Sequence, residues 1–375
     1  MSNAVIAGYV RSPFHFASKG ALARTRPDDL AAAVVKGLVG KAGVDPNDIE
    51  DLLLGCAFPE GEQGLNVARL ISFIAGLPQS VGATTINRFC GSSMQGIHSA
   101  AGAIALGAGE VFICAGIESM SRIPMMGFNP MPNPALAENM PAAYVSMGIT
   151  AESVAKKYAI SRQEQEEFAV ASHVKAAKAQ QQGKLKDEII AMPAGAEDGC
   201  IRADTSMQAL ASLKPAFDQA GVVTAGTSSP LTDGAAACLV VSEAYAKAHK
   251  LPILARIKSV AVAGCSPELM GIGPVVATRK ALQRAGLSIN DIDIIELNEA
   301  FASQAIACIR DLKIDMNKVN LDGGALALGH PLGATGARIT GKAASLLKRE
   351  GKRYALATQC IGGGQGIATI LEAVS

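Results

Sequence analysis

Three reactive side chains lie among glycines and small residues: Cys90 in INRFCGSSMQG, His330 in GGALALGHPLGATGAR and Cys360 in ATQCIGGGQG. Such surroundings let backbone crowd a substrate. Two thiols and an imidazole suggest acyl-transfer chemistry. Cys90 immediately precedes GSSMQG, the pattern of a strand end followed by a glycine-rich helix start. Backbone N–H groups and the positive end of the helix dipole then point at the thiol. This placement is expected to lower its pKa from the free value of about 8.5 and to favour the thiolate nucleophile, with His330 as the candidate base. Each residue alone has a commoner structural explanation: an inert buried cysteine, a histidine ending a turn, a glycine turn leading into a strand. Their joint occurrence argues for a site.

The chain also repeats itself. NDIEDLLLGCAF at 47–58 matches NDIDIIELNEAF at 290–301 in six of twelve positions, at an offset of 243. Sliding the first third by that offset, without a gap, sets Asn87 on His330 and Ile117 on Cys360. The reactive segments therefore fall at equivalent places in two related halves, and facing turns can build one site from both. Each half reads as near-continuous apolar strands alternating with helices, such as DLLLGC and VFICAG in the first and IDIIEL and YALATQC in the second. That pattern predicts α/β sheets covered on both faces. The last strand of the first half reappears only as DGAAACLVVSEA, which implies an insertion between about 120 and 231. The insertion opens with a Met- and Pro-rich stretch and continues with a helix whose Ser161 and Glu164 fit a capping box. A long insertion at the active-site end is a candidate lid or binding domain. The predicted organisation is 1–119 plus 232–250 for the first half, 120–231 for the inserted domain and 251–375 for the second half.

Composition narrows the function classes. With 375 residues, 49% apolar, and a formal charge of +1, the chain suits large cores and gives no sign of a nucleic-acid partner. Eight cysteines without CxxC spacing, mostly in apolar runs, read as reduced, largely structural and intracellular. MSNAVIAGYVRSP shows no signal or transit pattern, LEAVS is no peroxisomal address, and no apolar run approaches the roughly 18 residues of a membrane span. A cytoplasmic location is the expectation. GHPLGATG lacks the GxGxxG order and no GxxxxGK[ST] occurs, which argues against nucleotide phosphate loops. Five scattered histidines and the absence of paired cysteines argue against a metal site.

NRFCGSS, NEAF, GGALALGHPLGATGAR and CIGGGQG together resemble, in order and spacing, the four signatures of the thiolase family, and the resemblance covers essentially the whole chain. It implies the thiolase fold: two βαβαβαββ halves, a layered αβαβα core and a loop domain inserted in the first half. It also implies Cys90 as the acyl-accepting nucleophile, His330 as the group drawing off its proton, and Cys360 as the acid/base toward the acetyl-CoA enolate. Asn298 would hold a water that, with His330, stabilises the enolate oxygen. Backbone N–H groups of Cys90 and Gly362 would form a second oxyanion hole. For coenzyme A, the cosubstrate, the resemblance points to Ala225 and Ser229 against pantetheine, Phe217 beside them, and Arg202 near the nucleotide phosphates. Met147, Met270 and Phe301 would line the channel. No permanently bound cofactor is implied.

Ser146, Met147 and Gly148 stand where the biosynthetic acetoacetyl-CoA branch typically carries His-Met-Gly, so the chain resembles the degradative 3-ketoacyl-CoA branch more closely. The resemblance implies thiolytic cleavage of 3-ketoacyl-CoA, as in fatty-acid β-oxidation, by a homodimer or homotetramer, in some relatives joined to a hydratase/dehydrogenase subunit. The alternatives are biosynthetic acetyl-CoA condensation and, in another class, an acyl-lipid-binding scaffold without chemistry. A decarboxylating ketoacyl synthase shares the fold, but Cys360 argues against it.

Overall fold

The computed structural model describes residues 2–374. Its strands are β1 (Ala4–Arg11), β2 (His15–Phe16), β3 (Asp51–Cys56), β4 (Gly82–Ile86), β5 (Val111–Ser119), β6 (Thr232–Ser242), β7 (Ala255–Gly264), β8 (Ile294–Leu297), β9 (Tyr354–Ile361) and β10 (Gln365–Glu372). They follow the order β4-β3-β5-β6-β1-β7-β10-β9-β8, with β2 on β6. The order reads as the same arrangement outward from a central seam. There β1 meets β7 through only two residue pairs, Val5–Arg256 and Ile6–Ala255. In each half the outer strands pair in parallel (β3 with β4 and β5; β8 with β9), and antiparallel strands lead inward.

The helices are α1 (Pro27–Ala42), α2 (Val67–Ile74), α3 (Ser92–Leu106), α4 (Pro134–Asn139), α5 (Met147–Lys157), α6 (Arg162–Gln181), α7 (Met207–Ala211), α8 (Glu243–Ala248), α9 (Gly273–Ala285), α10 (Ala302–Leu312), α11 (Ala325–Leu328) and α12 (Leu332–Glu350). One apolar cluster joins α1 and α2 to the outer face of the first half-sheet, and another joins α9 and α10 to the outer face of the second. Between them lies a third, built from α3, α12 and the inner faces of both half-sheets. The result is five alternating layers, αβαβα, as expected.

The middle layer explains its own sequence. α12 is buried along nearly its whole length, so it cannot be amphipathic in the usual sense, and small residues let it approach its neighbours. A Cβ at Gly336 would lie 2.3 Å from Met94 N of α3, and one at Gly341 would meet the Tyr9 ring at 2.2 Å. Strands β5, β6 and β9 are buried at every position, in keeping with their unbroken apolar runs.

The chain leaves the sheet at Ser119 and returns at Thr232. The intervening segment carries α4 to α7, and the Ser161–Glu164 capping box opens α6 as the spacing predicted. A buried ionic chain ties this segment to both halves. Arg11 of β1 is bidentate to Asp198 at 2.7 and 2.8 Å and reaches Glu188 at 2.8 Å, and Glu188 in turn holds Lys342 of α12 at 2.8 Å.

The ungapped offset needs correction at both reactive segments. α3 and α12 begin at Ser92 and Leu332, so Cys90, not Asn87, takes the place equivalent to His330. Strand pairing sets Glu118 opposite Gly234 as Cys360 stands opposite Gly366, so Glu118, not Ile117, is the counterpart of Cys360. The connections differ in length between the halves, and no constant offset survives them.

Candidate active site

Cys90 sits in a sharp turn between β4 and α3. Phe89 adopts φ +41°, a left-handed conformation that side chains rarely take, and local bonds hold it there. Asn87 Oδ1 accepts from the Phe89 N–H at 2.9 Å, Ser92 Oγ accepts from the Arg88 N–H at 2.9 Å, and the same hydroxyl donates to Phe89 O at 2.6 Å. The turn aims the half-buried Cys90 into a cavity of about 430 Å³ whose walls include Phe58, Phe89, Met126, Tyr144, Met147 and Leu332. The lining is almost wholly apolar.

Cys360 closes β9, opposite Gly366 of β10. The hairpin between them turns through Gly363 and Gly364 at φ +78° and +79°, which only glycine adopts without strain. The backbone N–H of Gly362 is near enough to the Cys90 sulfur to favour its thiolate. Cys360 is fully buried and packs with Met270, Ala300, Phe301 and Met147.

His330 lies just before α12, buried to 4% exposure. Thr335 Oγ1 lies 2.6 Å from His330 Nδ1 and 3.0 Å from Pro331 O, and when its proton goes to Pro331 O it accepts from Nδ1–H. That tautomer leaves the lone pair on Nε2, 3.4 Å from the Asn298 Nδ2 amide. Asn298 follows β8, anchored by its N–H to Thr358 O at 3.0 Å, and its Oδ1 is buried without a partner in the protein. An unpaired buried acceptor beside an imidazole is a place for a water or a substrate donor.

Burial dominates the electrostatics. It pushes the Cys90 thiol up to about 12, against the Gly362 N–H that pulls it down. It raises Cys360 well above the ordinary thiol range, and the neighbouring Cys90 adds to this. It lowers His330 to about 3, with the positive charge of Arg338 contributing. Against the helix start and the Gly362 N–H, which favour the thiolate, desolvation favours the thiol. Near neutrality the site holds two thiols and a neutral imidazole. A lone charge is costly in such surroundings.

Sequence reasoning missed three supporting residues. Thr335 Oγ1 holds His330 Nδ1 at 2.6 Å. Gln359, a polar residue inside the apolar strand β9, donates from Nε2 to Cys90 O. Glu118 is buried at the end of β5 and accepts from the N–H groups of Ala57 and Gly333, each at 2.8 Å, and from Gln63 Nε2 at 3.0 Å. It thereby fastens the α12 start to the first half, and burial raises its pKa. A lone Glu ending the apolar run VFICAGIES was its only signal.

Most of the residues expected to meet coenzyme A come together. Met147, Met270 and Phe301 share one cluster with Cys360, and Phe217 packs edge-to-face on Phe301 with ring centres 5.9 Å apart. Ser229 N–H donates to Ala300 O at 2.9 Å, which straps the exposed Ala225 turn against the segment carrying Asn298 and Phe301. Arg202 stands apart from this wall: its guanidinium stacks over Phe16 at 5.0 Å, and its N–H donates to His173 Nδ1 at 3.1 Å.

Comparison with known proteins agrees with this geometry. Residues 4–244 match the thiolase N-terminal domain and residues 251–373 the thiolase C-terminal domain. The chain is 49% identical to a 3-ketoacyl-CoA thiolase of Bacillus subtilis, over 99% of this chain and 100% of that one. It is 48% identical to one from Aliivibrio fischeri over the same shares. The solved structure of human mitochondrial 3-ketoacyl-CoA thiolase superposes with a TM-score of 0.92 at 36% identity, covering 100% of this chain and 99% of that one. Bacillus anthracis acetyl-CoA acetyltransferase superposes with a TM-score of 0.91 at 40% identity, over 100% and 99%. Motifs, layered duplication, site and relatives agree, and the chain belongs to the thiolase family.

Proposed function

We propose that this protein is a 3-ketoacyl-CoA thiolase, cleaving 3-ketoacyl-CoA with free coenzyme A to acetyl-CoA and a shortened acyl-CoA. The observation that carries the reading is one apolar cavity lined by Cys90 and Gly362, with Cys360 buried behind its Met147 wall and close enough to Cys90 to feel its charge. The neutral imidazole of His330 and the amide of Asn298 complete the set.

In this reading His330 Nε2 takes the Cys90 proton as the sulfur attacks the 3-keto carbon. Oxygen gains negative charge, which the N–H groups of Cys90 and Gly362 stabilise; such a donor is typically worth about 3–4 kcal/mol in the transition state. The C2–C3 bond then breaks. Its electrons form the acetyl-CoA enolate, whose oxygen is held by His330 and a water on Asn298, and Cys360 delivers a proton to C2. Coenzyme A, its thiol proton passing to Cys360, attacks the acyl-Cys90 thioester and releases the shortened acyl-CoA. Cys360 thereby regains its proton, and the Cys90 thiolate released from the acyl group takes back the proton held by His330.

The segment 120–231 serves as the acyl and coenzyme A-binding domain through Phe217, Ala225, Ser229 and Met147, joined by Met270 and Phe301 of the second half, with Arg202 reaching a phosphate from outside the wall. The apolar cavity, within the range that drug-sized ligands occupy, supports substrates longer than four carbons, in keeping with a role in β-oxidation. We place the enzyme in the cytoplasm as a homo-oligomer. Among the described residues no helix is long and apolar enough to cross a membrane.

Intact and peptide mass measured after mixing with 3-ketoacyl-CoA of four to sixteen carbons, alongside cleavage on adding coenzyme A, tests the reading. Acylation at Cys90 and cleavage extending to long chains are expected. Cys90→Ala abolishes both, and Cys360→Ala abolishes turnover while leaving acylation of Cys90 by an acyl-CoA. Cleavage confined to the four-carbon substrate would favour acetoacetyl-CoA synthesis, and no acylation at all would overturn the enzyme assignment.

A further inference from the structure

The strand that carries Cys360 also grips the opposite thiol's backbone. Along β9 side chains alternate, and Gln359 and Ile361 project to the face opposite Cys360. Gln359 is fully buried, and its Nε2 donates to the carbonyl oxygen of Cys90. The reverse amide orientation would set oxygen against oxygen, so the donor assignment is forced. Ile361 packs on the next residue: a Cβ at Gly91 would lie 2.5 Å from Ile361 Cδ1. The Cys90–Gly91 peptide is thus held from above and from the side by two alternate residues of one strand. A second tie comes from β10, where Gln365 Oε1 accepts from Arg88 Nη1 at 2.8 Å.

Gln359 is costly where it stands. Its Oε1 is buried with no partner in the protein, in a strand whose other inward positions include Ala355, Ala357 and Ile361. A buried unsatisfied acceptor carries a desolvation cost that an apolar side chain of similar length would avoid. The turn it grips stores strain at Phe89 and is the only link between β4 and the start of α3. Locking the carbonyl of Cys90 fixes the rotation of the peptide that follows the nucleophile, and hence where its sulfur points relative to the Gly362 N–H on the same hairpin.

We infer that Gln359 is a positioning residue for acyl transfer: by clamping the Cys90 carbonyl it holds the nucleophile in register with the hairpin that carries Cys360 and Gly362. This rests on the proposed role of Cys90 as nucleophile. The cost of releasing the clamp follows from geometry, since a misplacement on the order of 1 Å can lose about 100-fold in rate.

The test is rapid-mixing acylation of the full-length protein by 3-ketoacyl-CoA, read by intact mass. Gln359→Met keeps length and burial but cannot donate. It is expected to acylate to the same final amplitude, one acyl group per chain, with a rate constant about 10- to 100-fold lower. A merely structural role would instead reduce the amplitude through inactive chains. Gln359→Glu supplies a donor only when its carboxyl is protonated. Its rate relative to wild type should therefore rise as pH falls, and this variant carries the test if the methionine protein does not fold. Wild-type acylation with an unaltered rate in Gln359→Met, or a Gln359→Glu ratio flat with pH, overturns the inference. Absence of acylation in the wild type instead overturns the proposed function, so the two failures are distinct.

Discussion

Thr335 lets one hydroxyl decide which imidazole nitrogen is the base. When it gives its proton to Pro331 O it accepts from Nδ1, and Nε2 is left to act. Thr335→Val removes this constraint and is expected to lower kcat about 10- to 100-fold, as loss of a buried hydrogen-bond partner worth about 1–3 kcal/mol implies. KM should change little, and Thr335→Ser should restore most of the rate. A Val variant with normal kcat would show that His330 needs no help in choosing its tautomer. At this scale Cys90, His330, Cys360 and Asn298 stood out because they lie in glycine-rich strings or in strings that resemble the thiolase signatures. Thr335, Gln359 and Glu118 did not, since each is defined by an atom facing it across the fold.

Close approach of α3 and α12 is what brings the two halves to one site, and a single hydrogen atom on Gly336 permits it. Gly336→Ala would place a methyl 2.3 Å from a backbone nitrogen that cannot move aside, so a loss of about 1–3 kcal/mol or more is expected in urea unfolding. Gly102→Ala, in the same helix layer but with open space around its Cβ position, should stabilise by about 0.5–1 kcal/mol. Equal effects from the two would mean that the helix contact is not tight. The strands and the paired helices were legible from apolar runs and from the repeat. Their register was not, because the connecting loops of the halves differ in length and loops leave no periodic trace.

Across the whole molecule, burial of neutral histidine couples folding to pH. His98, on α3, accepts or donates at Thr369 Oγ1 of β10 at 2.8 Å, and burial first, then Arg88 and Arg284, lower its pKa to about 3. The unfolded chain takes up its proton near pH 6.5 and the folded chain does not, so this group's contribution is intact above pH 6.5 and is lost as pH falls toward 3. His98→Gln keeps a hydrogen-bonding side chain without the titration. From pH 7 to 5 the wild type should lose about 2 kcal/mol more than this variant in urea-derived stability. A constant difference would mean that His98 titrates normally in the fold. The layered architecture that buries His98 also sets Cys90 and His330 at matching places, one residue before the N-caps of α3 and α12. Two identical copies of a half, paired about a twofold axis, would be obliged to put the same side chain at both places. Joining them in one polypeptide removes that obligation. A symmetric frame can then hold an asymmetric pair, a sulfur on one side and a nitrogen on the other, and a proton has a direction in which to travel.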